Sequence, residues 1–218
     1  MARKKGYIKT FSSLWTAHEN LYCSLFYEAL KLLEITDLAK NENAISEALC
    51  PIFNDLCFKH CRDVTPPMWE VPNQPSTNDE LKGGKKSPKP DFSCNLINPF
   101  ANGSDMYQIP FHIECKKLGE KVGSWNLNKN YVNNGINRFD SNKHEYGKKA
   151  ISGLMVGYIV SMEPIAILEE VNGHLPEQLQ KLTFVFVEKV VSCEQSIIRK
   201  EVNPKDFKLI HIWVNLKN

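Results

Sequence analysis

The stretch Asp91-Phe92-Ser93-Cys94-Asn95-Leu96-Ile97-Asn98, followed by Met106-Tyr107-Gln108-Ile109-Pro110-Phe111-His112-Ile113-Glu114-Cys115-Lys116-Lys117, decides how the chain is read. Both segments read as extended, and Asn102-Gly103 between them is a turn signal. The pattern predicts a hairpin over about residues 91–117. If it is centred on Asn102-Gly103, Asp91 stands opposite Glu114, roughly 5 Å away at Cβ. Side chains alternate along a strand. Glu114 and Lys116 therefore share one face with His112, and Ile113 and Cys115 take the other. Pro99 and Pro110 interrupt the ladder and favour a bulge or a wider loop.

Two carboxylates so close repel each other and resist joint ionisation, a conflict that a hard divalent cation resolves. Such an ion polarises a phosphodiester and makes hydroxide available near neutral pH. A lysine beside it can hold the attacking water or stabilise charge building on phosphate. The plainer reading makes Asp91 a strand cap and Glu114 with Lys116 a surface pair. Glu-x-Lys alone carries little information. Pro90-Asp91 upstream, apolar flanks and a nearby lysine run favour the metal site.

Lys89-Pro90-Asp91-Phe92, followed by Phe111-His112-Ile113-Glu114-Cys115-Lys116-Lys117, resembles the PD-(D/E)xK nuclease superfamily, the restriction-endonuclease-like fold. The resemblance implies that Asp91 and Glu114 bind Mg²⁺, with Mn²⁺ as a substitute. It also implies that the backbone carbonyl of Cys115 adds a ligand and that Lys116 assists the attacking water. The implied fold is a central mixed β-sheet flanked by helices. The implied role is restriction or defence against foreign DNA, often as a homodimer. The signature is confined to residues 89–117, and the remaining chain matches only in its order of elements.

Many members of that superfamily draw a further acid from a helix before the hairpin, and Glu42 is the candidate. It precedes Ile45 and Leu49 on an apolar stripe, where a carboxylate is costly unless it meets a cation. Alternatively it lies in the first helical turn and favours the helix dipole. Glu47 falls on the opposite face. Beyond Lys116, the spacing puts Tyr131, Asn134, Gly135 and Arg138 along one helical face. Arg138 could then meet a phosphate, or it is a surface arginine. His144, Tyr146, Lys148 and Lys149 read as an exposed polar segment.

The 218 residues fit a single domain, with 42% hydrophobic and 24% charged residues, as in an ordinary globular protein. Helices are expected over about 14–61 and strands at 154–160, 183–191 and 208–216. Helices are also expected at 130–140 and within 164–181, so the half from about 130 to 218 alternates helix and strand. This order predicts an α/β (α+β) fold, a mixed sheet with helices on its faces. A net charge of +2 does not announce a nucleic-acid binder. Locally, Lys82, Lys85, Lys86 and Lys89 form an acid-free run leading into Asp91, placed to contact phosphate if it is more than a solvated loop. No apolar run is long enough to span a bilayer, and no secretion signal is recognisable, so a cytoplasmic location is expected. The seven scattered cysteines are expected to be reduced. Cys50, Cys57, His60 and Cys61 lie along one predicted helix, where four side chains cannot surround a zinc ion. His112 reads as a packing or hydrogen-bonding residue rather than a catalytic one.

These readings converge on a Mg²⁺-dependent endonuclease acting on DNA, and the resemblance leaves room for a partner subunit in a defence system. Two alternatives stay open: a catalytically silent DNA-binding or scaffold subunit, and a repair or RNA nuclease using the same residues.

Overall fold

The computed structural model describes residues 10–34, 41–60, 64–75 and 88–217. Helix α1 (Phe11–Leu32) starts at Thr10, whose side chain accepts a hydrogen bond from Ser13 N at 3.2 Å. This caps an otherwise orphaned amide. One stripe buries Trp15, Tyr22, Leu25, Phe26 and Leu30, and Trp15 Nε1 donates to Ser152 Oγ. Helix α2 (Glu42–His60) buries Ile45, Leu49, Phe53 and Leu56, the stripe expected from the sequence.

Six strands follow: β1 (Met68–Trp69), β2 (Phe92–Ile97), β3 (Gln108–Leu118), β4 (Ser152–Ile159), β5 (Val190–Ile198) and β6 (Asp206–Asn215). They form one mixed sheet in the order β1-β2-β3-β4-β6-β5. The β3–β4 and β4–β6 pairs are parallel and the others antiparallel. The expected mixed sheet between helices is therefore the observed architecture.

In the hairpin, Phe92 pairs with Ile113 and the ladder continues to Ile97 with Gln108. This is the register that centring on Asn102-Gly103 predicts. The connection is not a tight turn, however. It spans Asn98 to Tyr107, contains a 3₁₀ turn at Ser104–Met106, and is closed by Asn98 N donating to Tyr107 O at 2.8 Å. Pro110 sits where β3 has β2 on one side but is not yet paired with β4, whose register begins at Ile113. A proline without an N–H is tolerated at such an edge.

Two expectations are corrected. The region 130–140 is not one helix. Helix α3 (Leu127–Asn133) ends at Asn134-Gly135, and a 3₁₀ turn takes Ile136–Asp140. Tyr131 is buried and Asn134 exposed, so no common helical face exists. Gly135 is where the chain breaks: a Cβ there would lie 2.3 Å from Tyr131 O and 2.5 Å from Met155 Cε. Residues 183–189 are also not a strand. Phe184 stacks on Trp213 at 4.4 Å between centroids, and Phe186 stacks on Phe184. Their alternation serves ring packing rather than a ladder, and the strand lies later, at Val190–Ile198.

Helices α1 and α2 cover one face of the sheet through Phe92, Phe111, Ile113, Cys115, Val156 and Ile212. On the other face, α3, the 3₁₀ turn and helix α4 (Pro164–His174) pack against Leu118, Met155, Ile159 and Trp213. That second layer takes no residue from β1 or β2. Among the described residues, no helix is long and apolar enough to cross a membrane. The six described cysteines are free, and Cys61 lies outside the described residues.

Candidate active site

Strand β3 outlasts its neighbour. The β2 ladder stops at Phe92–Ile113, yet β3 runs on to Leu118, paired there with β4 alone. Beyond Ile113 one edge of β3 has lost its strand partner, and buried amides need acceptors. Two carboxylates supply them. Asp91, just after Pro90, accepts from Cys115 N at 2.6 Å through Oδ2. Glu42, the first residue of α2, accepts from Lys117 N at 2.9 Å through Oε2. The acids thus continue the ladder that β2 abandons.

Lys116, between these two residues, shares the face of Glu114 and is almost fully buried. Its Nζ lies 2.6 Å from Glu114 Oε1, 2.6 Å from Cys115 O, 3.1 Å from Glu42 Oε1 and 3.7 Å from Asp91 Oδ2. Asp91 Oδ2 and Glu114 Oε1 can therefore be no further apart than those two contacts laid end to end. The ammonium sits at the centre of the oxygen set that the sequence nominated for a cation.

A second cation meets Glu114. Arg138, on the 3₁₀ turn after α3, places NH1 2.5 Å from Glu114 Oε1. Its guanidinium lies 5.9 Å from the ring centroid of Tyr146. Arg138 is thus neither a bare surface residue nor a member of a helical stripe. Glu114 Oε1 carries both cations, while Glu114 Oε2 and Arg138 Nε are buried without a hydrogen-bond partner among the described residues.

The electrostatics follow from crowding. Burial first, and the neighbouring Asp91 second, push the fully buried Glu114 up to about 8, against the pull of Lys116 and Arg138. Burial also raises Asp91, opposed by Lys116 and the Cys115 amide. Burial by itself would lower Lys116. Glu114, then Asp91 and Glu42, more than reverse this, so the lysine is firmly held as an ammonium.

Among the described residues no group of three or more His, Cys, Asp or Glu side chains is arranged as a ready metal cage. The acids are drawn in around Lys116 instead. The donor set nevertheless fits a hard cation: carboxylate oxygens from Asp91, Glu114 and Glu42 and the carbonyl of Cys115 are the oxygen ligands Mg²⁺ prefers. The partnerless Glu114 Oε2 is a buried acceptor that such an ion would satisfy. Coordination requires the ammonium to withdraw from the centre of the set.

The remaining nominated residues stand apart. Lys89 is exposed, and its carbonyl, rather than its ammonium, is engaged, accepting from Tyr146 OH at 2.7 Å. Lys85 and Lys86 lie outside the described residues, as does Lys82. His112 is buried, and burial, helped by Lys148, lowers it to about 3. It is neutral, packs edge-on against Tyr146 and accepts from Gly147 N at 3.0 Å. That is a structural role.

Two residues beside the cluster were missed. Tyr146, read as exposed, is buried, and it ties the segment just before Asp91 to the turn carrying Arg138. Arg199 is 1% exposed, and its guanidinium donates to the carbonyls of Phe139, Tyr146, Gly147, Ala150 and Pro204. No spacing signal announces a side chain whose partners are backbone carbonyls.

No protein-family model, curated protein or solved structure matches the chain, so the reading of the site rests on its own geometry.

Proposed function

We propose that the chain is a Mg²⁺-dependent endonuclease that hydrolyses phosphodiester bonds of DNA. The observation that carries the reading is the convergence of Glu42, Asp91, Glu114 and the Cys115 carbonyl on Lys116 Nζ, at the open edge of β3. Three acids gathered round one point are unfavourable for folding unless cations offset them, and a bound metal ion would add to the offset that Lys116 and Arg138 provide.

In this reading Asp91, Glu114, Glu42 and the Cys115 carbonyl hold the ion, which supplies a polarised phosphate and a water of lowered pKa. Lys116 is a proton-bearing donor in its observed setting. It acts by orienting the attacking water and by neutralising charge on the phosphate, rather than as a general base. Arg138 shields Glu114 and, with its side chain 27% exposed, is placed to reach a phosphate oxygen as well. The wider assignment, a restriction or defence nuclease working in the cytoplasm as a homodimer, belongs to the same proposal. So does any partner subunit.

The test is direct. Plasmid, single-stranded DNA and RNA are incubated with the purified chain in Mg²⁺ or in EDTA, beside Asp91→Ala. Cutting that needs the metal and disappears in the variant supports the enzyme, and preferential cutting of RNA would move the substrate class. One rival has its own observation: Lys116 and Arg138 already offset much of the cluster's charge without any metal. A DNA-binding subunit that keeps the fold without the chemistry would look the same, and it predicts a wild type that binds DNA but never cuts it.

A further inference from the structure

The face of the sheet that carries Glu114 and Lys116 continues past them. On β3, Gln108, Pro110 and His112 precede Glu114 on that face, and Ser93 and Asn95 lie beside them on β2. The second hydrophobic cluster takes no residue from β1 or β2 and reaches this strip through Tyr146 on His112. Residues 71–75 on one side and Lys148 with Lys149 on the other wall the strip into a cavity of about 190 Å³. Pockets for drug-sized ligands span about 300–1,000 Å³, so this space suits a single ring-sized group.

The lining has a consistent chemistry. It includes the carboxamides of Asn95 and Gln108, the Tyr107 ring and two lysines and, among the described residues, no Asp or Glu. Carboxamides offer both donors and acceptors, as base edges require. Tyr107 is 55% exposed, which leaves a ring available for stacking. His112 in the lining is two strand positions from Glu114, a step of about 7 Å. Asn95, opposite Pro110, and Gln108 lie four and six strand positions from Glu114, about 13 and 20 Å. A strand whose phosphate lies at the carboxylate cluster can run on over this cavity within a few nucleotides.

The lysine wall is rigidly made. Glu145 and Lys149 hold left-handed backbone, with φ of 53° and 66°. Non-glycine residues keep such conformations only where the surroundings enforce them. Here Arg199 grips the carbonyls of Tyr146, Gly147 and Ala150, and neutral His112 accepts from Gly147 N. Lys148 is paired with Glu145 at 3.7 Å, so a phosphate would share or displace that contact.

We propose that this cavity is a nucleotide subsite. It takes one base of the substrate strand a few nucleotides from the scissile phosphate, stacked on Tyr107 and contacted by Asn95 and Gln108, with a flanking phosphate drawn to Lys148 and Lys149. The proposal rests on the nuclease reading of the adjacent cluster.

The experiment separates the two. Binding of labelled single-stranded and duplex DNA and RNA to the full chain is measured with Ca²⁺ in place of Mg²⁺, and cut positions are mapped with Mg²⁺. Tyr107→Ala is expected to weaken binding about tenfold and Tyr107→Phe to restore it. The double variant Asn95→Ala/Gln108→Ala should broaden the distribution of cut positions. Lys148→Ala/Lys149→Ala should flatten the salt dependence of binding by up to about two counterions. If all of these variants bind as wild type and cut at the same positions, while Asp91→Ala still abolishes cutting, the subsite is overturned and the nuclease stands. A deficit in Tyr107→Ala that phenylalanine fails to restore also overturns it. A wild type that neither binds nor cuts nucleic acid overturns both.

Discussion

Lys116 is the residue on which the cluster's balance turns. Its ammonium touches Glu114, Glu42 and the Cys115 carbonyl and lies near Asp91. Lys116→Ala should abolish cutting and cost about 3–5 kcal/mol, the usual penalty for stripping a partner from a buried charge. Chemical denaturation should show that loss without metal, and millimolar Mg²⁺ should recover part of it, because the ion can take the vacated centre. A deficit indifferent to Mg²⁺ would argue against metal coordination there. Acidity acts through other side chains. Burial lowers both His112 and His211 to about 3. Their unfolded forms take up protons near 6.5, so the unfolded state binds more protons between about 6.5 and 3. Each histidine then removes about 1.4 kcal/mol of stability per pH unit on acidification. Glu114, raised to about 8, works in the opposite sense: its folded form keeps a proton that the unfolded chain loses near 4.5. Stability should therefore climb as pH rises from 4 to 6.5, where these histidines, with His18 and His144 also lowered by burial, oppose Glu114 and the raised Asp91, and decline from 6.5 to 8. Urea titrations across that range check the sign, and Glu114→Gln should remove the decline above 6.5.

At the scale of elements, the decisive mismatch is the length of β3 against β2. Glu42 serves it twice, accepting from Lys117 N and pairing with Lys116. Glu42→Gln keeps an oxygen for the amide and should change stability by less than about 1 kcal/mol while weakening stabilisation by metal. Glu42→Ala loses both contacts and should cost about 1–2 kcal/mol. Equal effects of the two variants on stability and on the metal response would remove Glu42 from the ligand set. Gly135→Ala forces a Cβ onto Tyr131 O and should cost about 1–3 kcal/mol. It should also lower activity by shifting the turn that carries Arg138. The hairpin and the first acid were legible in the sequence because alternation and register are local: Asp91, Glu114 and Lys116 follow from period two, and Glu42 from the stripe of α2. The break after α3 was not legible, because Tyr131, Asn134 and Arg138 have helical spacing, and the obstruction comes from Met155 on a distant strand and from the Tyr131 carbonyl. Strand β5 was hidden by the adjacent Phe184 and Phe186, whose alternation imitates a strand but serves Trp213. Tyr146 and Arg199 act largely through backbone carbonyls, which leave no trace in residue pattern.

Over the whole molecule, the sheet is sealed by α1 and α2 on one face and only partly covered on the other, and the carboxylate cluster lies where the second cover gives out. Because a cation would bind only where folding gathers the acids, Mg²⁺ or Mn²⁺ should raise the melting temperature. The expected size is roughly 2–4 °C for each kcal/mol of binding free energy, and Asp91→Ala should abolish the response. A further consequence follows from the acids that continue β3 where β2 stops. A bare strand margin is a template on which another polypeptide can add itself, and here Asp91 and Glu42 occupy its amides with negative charge. The same side chains would then guard against self-association. Combined Asp91→Ala and Glu42→Ala substitution should leave a chain that, beyond losing catalysis, forms oligomers as its concentration rises, visible by light scattering.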